Sequence, residues 1–599
     1  MQNATLEQKI AQKIILDIRF YNEDDHHASD SASSAKRSLI KLTKNIAALI
    51  STSCIGGVIL FKENLRDIEQ IIQLTNDLQT AAKQSALGLP LFLTADHEGG
   101  RVTRLPEVIS TSFTGNMSVG ATYQHHGVDF ASTVGDVLAR ELSVLGINVN
   151  HAPVVDVNAD SENPVINSRA FSDDPKTVAA LAIAQVKSMQ SNGVMATLKH
   201  FPGHGNTNVD SHTGLPCIDR NKEEARRIDL APFENVLSQT NPSMIMTAHI
   251  QYPALDSTEI TTKTGDSIVV PATMSKRLIH DYLRTKLNYT GLVVSDALDM
   301  AGISDYFTAT QAVINCFSAG IDLAVMPIRV RSPIDLDKLS TLIVSVVDAV
   351  KSGQLDEDEI TASFERICKA KEDVFVPFSD DVKQQVDRAN AVLGCEAHRT
   401  VEQSLANEAL SVVKGQEKLK RCITSTTKVL VMMPQQPMCE AMTNTLQQHV
   451  ASLPLNETNL QCEDKAVSLA KIEAADVIIA GHIYPKQSPV ELGGIEDIDA
   501  STDRLHVSVD AQQQLYDLLS FAKSNNKDVV FVSLRTPYDI AWFDPVSDIC
   551  IASYAYNVTI IEGKMHAPAF CAIANALLGD LMPSGNLPVT LDKTNAGQS

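Results

Sequence analysis

The chain has 599 residues, of which 44% are hydrophobic and 20% are charged, a composition typical of folded globular proteins. It is too long for one hydrophobic core, so two or more domains are expected. Its 72 acidic and 50 basic residues give a formal net charge of −22. This balance argues against DNA or RNA as a partner, because a nucleic-acid-binding surface has to be basic.

The N-terminal sequence has none of the features of an export signal. Its short apolar run lies between Lys13 and Asp17 and lacks the continuous apolar region and cleavage site of a signal peptide. No window approaches the roughly 18 apolar residues of a membrane-spanning helix. The ten cysteines form no CxxC pairs. We therefore expect a cytoplasmic protein with reduced thiols and no membrane span.

Eight short apolar runs are spaced along the first two-thirds of the chain. Several are nearly continuous rather than alternating, which is typical of parallel strands buried on both faces. The predicted strands cover residues 14–20, 56–61, 89–96, 147–156, 194–200, 244–249, 292–296 and 322–326.

Segments of helical character separate these strands, for example residues 64–83 and 177–192. Eight successive β–α units predict an α/β protein whose first domain, residues 1–376, is a (β/α)8 TIM-type barrel. A polar stretch at residues 21–36 is expected to form a surface loop.

The rest of the chain predicts a second domain. Residues 377–420 are charged and helical in character, and we predict a helical connector there. Residues 421–599 predict a C-terminal α/β sandwich domain, with strands at 429–433, 477–482, 529–534 and 549–554. Near its end, the motif PSGNLPVTL predicts a turn followed by a final strand.

Polar side chains follow five of the predicted barrel strands. The carboxyl ends of barrel strands lie on one face, and barrels of this type place their active sites there. The residues expected at this face are Asp96, His97, Glu98, Asp156, Lys199, His200, His249 and Asp296.

The densest group of titratable residues is the segment 199–216, KHFPGHGNTNVDSHTGLP. Asp210 precedes His212 by two residues, and in a loop this spacing lets the carboxylate bind the imidazole N–H and fix its tautomer. His200, His204 and His212 could in principle bind zinc, but their spacing matches neither an HExxH nor a CxxC arrangement. Lys199 beside them would also repel a cation. We therefore predict a catalytic loop that uses no metal or other cofactor.

The segment LVVSDALDM, residues 292–300, is a second catalytic candidate. Its apolar strand would deliver Ser295 and Asp296 to the mouth of the barrel. A carboxylate there can act as a nucleophile, a general base or a metal ligand. A helix N-cap just after the strand suits either residue equally well. The residues alone leave both interpretations open.

Three motifs together resemble glycoside hydrolase family 3, in particular its bacterial β-N-acetylglucosaminidase branch with two domains. They are KHFPGHG with a downstream DSH, ADHEGGRVTRLP at 95–106 and SDALDM at 295–300. The resemblance implies that Asp296 is the nucleophile, that His212 is the general acid/base and that Asp210 is its carboxylate partner. It also implies a set of sugar-binding residues: Asp96, Arg104, Arg169, Lys199 and His200.

The same resemblance implies a retaining exo-β-N-acetylglucosaminidase that removes terminal N-acetylglucosamine from muropeptides or chito-oligosaccharides. The expected partner is a small sugar, with no nucleic acid, and the oligomeric state is open. A phosphorylase is an alternative, because a neutral imidazole repels phosphate less than a carboxylate does. A broader family 3 β-glycosidase and a non-catalytic sugar-binding protein are the remaining alternatives.

Overall fold

The computed structural model describes residues 4–25, 36–207, 210–212, 214–373, 381–485, 488–492 and 509–591. Most of the predicted polar loop at 21–36, and residues 377–380 of the predicted connector, lie outside the described residues. Within the described part of the chain, no helix is both long enough and apolar enough to cross a membrane.

Eight strands of the described first domain form the predicted barrel. The barrel strands are β1 (Ile14–Asp17), β2 (Gly57–Ile59), β3 (Phe92–Ala95), β4 (Val149–Asn150), β5 (Met195–Phe201), β6 (Met244–Thr247), β9 (Leu292–Ser295) and β10 (Ala324–Arg329). Between β6 and β9, the strands β7 (Glu259–Thr261) and β8 (Ser267–Val269) form a separate hairpin. The barrel strands form a parallel sheet in the order β10-β1-β2-β3-β4-β5-β6-β9. A parallel bridge between Val294 and Leu323 places β9 beside β10. The (β/α)8 prediction is confirmed.

The two faces of the barrel strands are both buried. On β1, Ile15 packs in an apolar cluster with residues from other strands such as Phe92 and Met244. Its neighbours Ile14 and Leu16 belong to a larger core that the strands share with the surrounding helices. Because successive side chains point to opposite faces, both sets must be apolar, and the runs are nearly continuous in sequence.

The helices between the strands agree with the helical segments predicted at 64–83 and 177–192. The observed helices there begin after Asp67 and Asp174, whose side chains accept backbone N–H groups of the first turn. The longer helices of this domain are Lys44–Ser53, Ile68–Lys83, Asn116–His126, Asp129–Val144, Pro175–Ser191, Leu230–Gln239, Ala309–Ala319, Leu336–Lys351 and Glu357–Asp373, with a π-helix at Arg277–Lys286.

The second domain contains a separate sheet with helices, as predicted. Its strands are β11 (Ser411–Lys414), β12 (Val429–Met433), β13 (Leu455–Asn459), β14 (Val477–His482), β15 (Asp528–Ser533) and β16 (Ile549–Ala552), in the order β11-β16-β15-β14-β12-β13. Among these described strands, only β11 runs antiparallel to its neighbour. A hairpin of β17 (Thr559–Ile561) and β18 (Lys564–His566) lies apart. The longer helices are Gln436–His449, Lys465–Ala474, Val509–Ser524 and Pro568–Leu578.

The final strand predicted after a turn within residues 583–591 is wrong, because this segment forms no strand. Its backbone bonds to the barrel instead: Asn586 N–H donates to Ala121 O (2.9 Å), and Pro588 O accepts from Asp173 N–H (3.2 Å). Proline also has no N–H to give to a sheet. Strands β11 and β13 were not predicted. Both are short edge strands with polar residues, and they lack the apolar runs of the central strands.

Two helices, Val382–Val392 and Glu396–Ala409, occupy most of the described part of the segment predicted as a connector. The second of them contacts both domains through Glu402. This carboxylate accepts a hydrogen bond from Ser112 N–H of the barrel (3.1 Å) and pairs with His566 Nε2 of β18 (2.9 Å). The helix therefore fixes how the second domain lies against the barrel.

Candidate active site

A pocket opens at the carboxyl ends of the barrel strands, with an empty volume of about 810 Å³. Its walls come from several strand ends and from the loops that follow them. It brings together seven of the eight predicted site residues, and the eighth, Asp210, is bonded to the wall residue His212. The seven are Asp96, Arg104, Arg169, Lys199, His200, His212 and Asp296.

Asp296 lies at the mouth of the barrel directly after β9. Its N–H donates to Thr247 O (3.1 Å), and its Oδ1 accepts a hydrogen bond from Ala297 N–H (2.8 Å). The next helix, Ala301–Ser304, has Met300 as its N-cap. The carboxylate therefore does not cap that helix, and it faces the pocket.

The electrostatic surroundings keep Asp296 ionised. Burial raises the pKa of its carboxyl group, but the charges of His249, His200 and His212 lower it, and the resulting pKa is below the ordinary aspartate value. His249 is held in place because its Nε2 donates to Ala297 O (2.9 Å). An ionised carboxylate thus faces a cavity lined by imidazoles.

Asp299, the second aspartate of the SDALDM motif, has a different environment. It forms an ion pair with Arg329, whose Nε lies 2.9 Å from its Oδ2. Asp296 forms no ion pair with a lysine or arginine within the described ranges. Of the two carboxylates, Asp296 is therefore the one available to react with a bound molecule.

His212 and Asp210 form a hydrogen-bonded pair beside this pocket. His212 Nδ1 lies 2.7 Å from Asp210 Oδ1, and the same oxygen accepts the backbone N–H of His212 at 2.8 Å. Nδ1 must carry a proton to donate to a carboxylate, so Nε2 is the nitrogen left for the pocket. Burial lowers the pKa of His212, whereas Asp210 raises it through its charge and its hydrogen bond, and the resulting pKa is above the ordinary imidazole value.

A network of charges forms the opposite wall. Lys199 Nζ donates to Asp96 Oδ1 (2.8 Å) and pairs with Glu98 Oε1 (2.7 Å). Arg169 binds the same Glu98 through two hydrogen bonds, of 2.9 and 2.6 Å, and Arg104 Nη2 lies 3.9 Å from Asp96 Oδ2. Burial raises the pKa of Asp96, but Lys199 and Arg104 lower it far below the ordinary value. This wall offers both donors and acceptors to the hydroxyl groups of a sugar.

Asp156 orients two histidines from behind. Its Oδ2 lies 2.7 Å from His200 Nδ1, and its Oδ1 accepts the backbone N–H of His204 at 2.7 Å. Burial is the main cause that lowers the pKa of His204 to about 4, and the charge of His200 is the second. His204 is therefore neutral, and its Nε2 lies 3.1 Å from Ser211 Oγ, which connects it to the loop that carries Asp210 and His212.

The second domain reaches the pocket through residues 488–491. Ser488 Oγ donates to Asp210 Oδ2 at 2.9 Å, and Val490 lines the cavity. Sequence reasoning missed both, because neither belongs to a recognisable motif and 278 residues separate Ser488 from Asp210. Glu98 was expected at this face, but its bonds to two cations were not predicted.

Within the described ranges, no three His, Cys, Asp or Glu side chains are arranged to hold a metal ion. The cavity is lined instead by the carboxylates of Asp96, Asp296 and Asp299, by imidazoles, and by arginine and lysine side chains. Such a set can bind a polar, uncharged molecule, attack it with a carboxylate and transfer a proton from an imidazole.

Comparisons with known proteins find a matching family model and a similar sequence. The model of the glycosyl hydrolase family 3 N terminal domain matches residues 5–370. The chain is 42% identical over 591 residues to Beta-hexosaminidase A of Pseudoalteromonas piscicida, which covers 98% of this chain and 97% of that protein.

Two solved structures resemble the whole chain. A glycoside hydrolase family 3 beta-N-acetylglucosaminidase from Paenibacillus sp. str. FPU-7 has a TM-score of 0.76 and 26% sequence identity, covering 99% of this chain and all of that one. A beta-glucoside phosphorylase has a TM-score of 0.75 and 19% identity, covering 100% of this chain and 95% of that one, which is a likeness of fold.

Proposed function

The chain belongs to glycosyl hydrolase family 3 and is a glycoside hydrolase, and from this premise we propose that it is a retaining exo-β-N-acetylglucosaminidase. The observation that carries the proposal is the placement of Asp296 and the His212–Asp210 pair around one pocket. The similarity to proteins named beta-hexosaminidase and beta-N-acetylglucosaminidase supports a specificity for N-acetylhexosamines.

In the first step, a carboxylate oxygen of Asp296 bonds to the anomeric carbon as the bond from that carbon to the leaving oxygen breaks. His212 Nε2 gives its proton to the leaving oxygen, so that an alcohol departs and the imidazole becomes neutral. The raised pKa of His212 supports this role, because the imidazole keeps its proton to a higher pH than an ordinary histidine does.

In the second step, the neutral His212 takes a proton from a water molecule as the water oxygen attacks the anomeric carbon. The ester bond to Asp296 breaks, and its carboxylate is restored. The imidazole is again protonated and ready for a new cycle. Two inversions at the same carbon give net retention of configuration.

We propose that Asp96, Arg104, Arg169, Lys199 and His200 bind the terminal sugar. Asp96 can accept hydrogen bonds from hydroxyl groups, and the three cations can donate them. The bonds among these residues support the proposal, because they hold the side chains in place before a sugar arrives.

The first test is release of p-nitrophenol from p-nitrophenyl N-acetyl-β-glucosaminide by the purified chain. We expect activity in the wild type and a loss of kcat on the order of 10⁴-fold in Asp296→Ala. Asp281→Ala removes an exposed barrel aspartate and serves as the matched control with unchanged activity. Full activity in Asp296→Ala, with normal folding in both variants, would contradict the proposal.

The natural substrate is proposed to be an N-acetylglucosamine-terminated oligosaccharide from peptidoglycan or chitin. A product profile with muropeptides and chito-oligosaccharides compares the two sources directly. The source whose terminal sugar is released with the higher kcat/KM is the better substrate. No release from either would contradict the exo-glycosidase assignment.

Phosphorolysis is a second candidate, and one observation favours it. After His212 has given up its proton, the imidazole is uncharged, and Arg169 and Lys199 line the same pocket, so a phosphate anion meets little repulsion. Running the reaction with and without inorganic phosphate distinguishes the two. A sugar 1-phosphate product identifies a phosphorylase, and free N-acetylglucosamine at an unchanged rate identifies a hydrolase.

A further inference from the structure

We propose that Ser488, a residue of the second domain, is a positioning residue for proton transfer by His212. Its hydroxyl group would hold the Asp210 carboxylate in the orientation that aligns the imidazole with the leaving oxygen. This inference rests on the proposed function, since it assumes that His212 is the acid. It adds a role for the second domain in a reaction otherwise carried out by barrel residues.

The two oxygens of Asp210 have separate tasks. Oδ1 accepts from both the backbone N–H and Nδ1 of His212, and Oδ2 accepts from Ser488 Oγ at 2.9 Å. Ser488 is completely buried and Asp210 is nearly so. A hydrogen bond to one oxygen therefore fixes the plane of the carboxylate for the other, in surroundings where water does not compete.

Ser488 is itself held by a buried frame. Its hydroxyl accepts the N–H of Val490, and its carbonyl accepts the N–H of Glu491 at 3.0 Å. Glu491 pairs with Arg535, both of them without exposed side-chain surface, and Arg535 Nη1 donates to Asn167 Oδ1 of the barrel at 3.1 Å. The hydroxyl group therefore has a fixed position relative to the dyad rather than one set by a long surface loop.

A purely structural role is the competing explanation, since Ser488–Asp210 also joins two domains. The chain offers a matched control for this. Thr559 Oγ1 donates to Glu107 Oε2 at 2.5 Å, which is another hydroxyl-to-carboxylate bond between the same two domains, away from the pocket. Thr559→Val removes that bond while keeping the volume of the side chain.

The experiment compares Ser488→Ala, Thr559→Val and wild type on two substrates. One is N,N′-diacetylchitobiose, whose leaving alcohol needs a proton, and the other is p-nitrophenyl N-acetyl-β-glucosaminide, whose leaving group needs little protonation. For Ser488→Ala, we expect kcat on the disaccharide to fall about 10-fold, the effect of one lost bond to a charged group. On the aryl glycoside the loss should be less than about 2-fold, and Thr559→Val should match wild type on both.

A double-mutant cycle with Asp210→Ala then tests how the serine acts. If Ser488 works through Asp210, adding Ser488→Ala to Asp210→Ala causes no further loss on the disaccharide. Ser488→Cys keeps the side-chain volume with a weaker donor and should give an intermediate loss, and melting temperatures are recorded for every variant. If Ser488→Ala folds poorly, kcat of Ser488→Cys on the two substrates is used in its place.

Three results would overturn the inference. The first is an equal loss of kcat on both substrates in the folded Ser488 variants. The second is a ratio of disaccharide kcat to aryl-glycoside kcat identical to that of Thr559→Val. The third is that the effects of Ser488→Ala and Asp210→Ala on kcat are fully additive. Failure of the proposed function gives a different result. The loss of kcat in His212→Ala would then be the same for both leaving groups, and both the proposed function and the serine inference would be wrong. If the loss in His212→Ala depends on the leaving group and the loss in Ser488→Ala does not, the serine inference alone is wrong.

Discussion

Buried charges gather at both ends of the barrel, and the two groups are organised differently. At the carboxyl ends of the strands, the charged side chains surround a pocket, and Asp296 faces it with one backbone hydrogen bond to its carboxylate. At the amino ends, Asp322 is fully buried, more deeply than the partly exposed Asp296, and its carboxylate is enclosed by donors.

The network at the amino ends is centred on Asp322. Its Oδ1 accepts from Ser363 Oγ (2.8 Å) and Arg366 Nε (3.0 Å), and its Oδ2 accepts from Val293 N–H (2.8 Å) and from Arg284. Burial raises the pKa of Asp322, but the two arginines lower it below its ordinary value. Every lone pair that could attack a substrate is occupied.

The difference teaches that burial and a shifted pKa do not by themselves identify an active site. A hollow of about 940 Å³ also exists at the amino end, with Arg366 and Lys369 in its wall, but no carboxylate or histidine is among its described lining residues. Catalysis needs a carboxylate with an open side and a proton donor facing the same cavity. Asp296 and His212 meet that requirement, and Asp322 does not.

The largest effect expected at the carboxyl end comes from His212→Ala. We expect kcat on N,N′-diacetylchitobiose to fall about 1,000-fold, with a much smaller loss on the p-nitrophenyl glycoside, whose leaving group needs little protonation. His398→Ala is the control, since it removes a more deeply buried histidine bonded to Glu141 (2.9 Å) away from the pocket. Equal losses on both substrates would count against His212 as the acid.

The corresponding change at the amino end should affect stability instead of chemistry. Asp322→Ala leaves two partly buried arginines without their carboxylate, and we expect the free energy of unfolding in urea to fall by about 3 kcal/mol. The kcat of the folded fraction should stay at the wild-type value. Asp517→Ala, which removes an exposed partner of Lys465 (3.4 Å), should leave the free energy of unfolding nearly unchanged. A large loss of kcat in folded Asp322→Ala would contradict the claim that the charges at the amino end serve stability and not chemistry.

A smaller effect is expected on the pH dependence of kcat/KM. The proposed mechanism requires protonated His212 and ionised Asp296, so activity should fall at high pH as His212 loses its proton and at low pH as Asp296 gains one. Asp210 raises the pKa of His212 against the effect of burial, so Asp210→Asn should move the high-pH limb to lower pH. The low-pH limb, set by Asp296, is the internal control. A high-pH limb that stays in place or moves up would contradict the role of Asp210.

Much of the fold and part of the site could be predicted, because both depend on local patterns. The barrel strands are nearly continuous apolar runs, and that pattern reflects burial on both faces. Three site residues directly follow such runs: Asp96, Lys199 and Asp296. Because the strands are parallel, their carboxyl ends lie on one face of the barrel, and these three residues lie there as well. The pairing of Asp210 with His212 depends on a spacing of two residues within one loop.

The rest depends on contacts between distant segments, which no local pattern encodes. Ser488 and Val490 reach the pocket only because the second domain packs against the barrel. Whether Asp296 capped a helix could not be decided until Met300 was seen at the start of the next one. The segment of residues 583–591 has a strand-like sequence, but its backbone N–H and C=O groups form hydrogen bonds with the barrel and not with a neighbouring strand.

The bonds between the domains have a consequence for how substrate enters and product leaves. Ser172 Oγ donates to Pro588 O at 2.7 Å, Thr590 N–H donates to Asp173 Oδ2 at 2.7 Å, and Arg535 is bonded to the barrel as well. A hinge rotation of one domain away from the other would have to break all of these bonds together. We therefore expect sugars to exchange through movements of side chains and short loops at the pocket mouth, on nanosecond to microsecond timescales, rather than through the slower opening of two lobes.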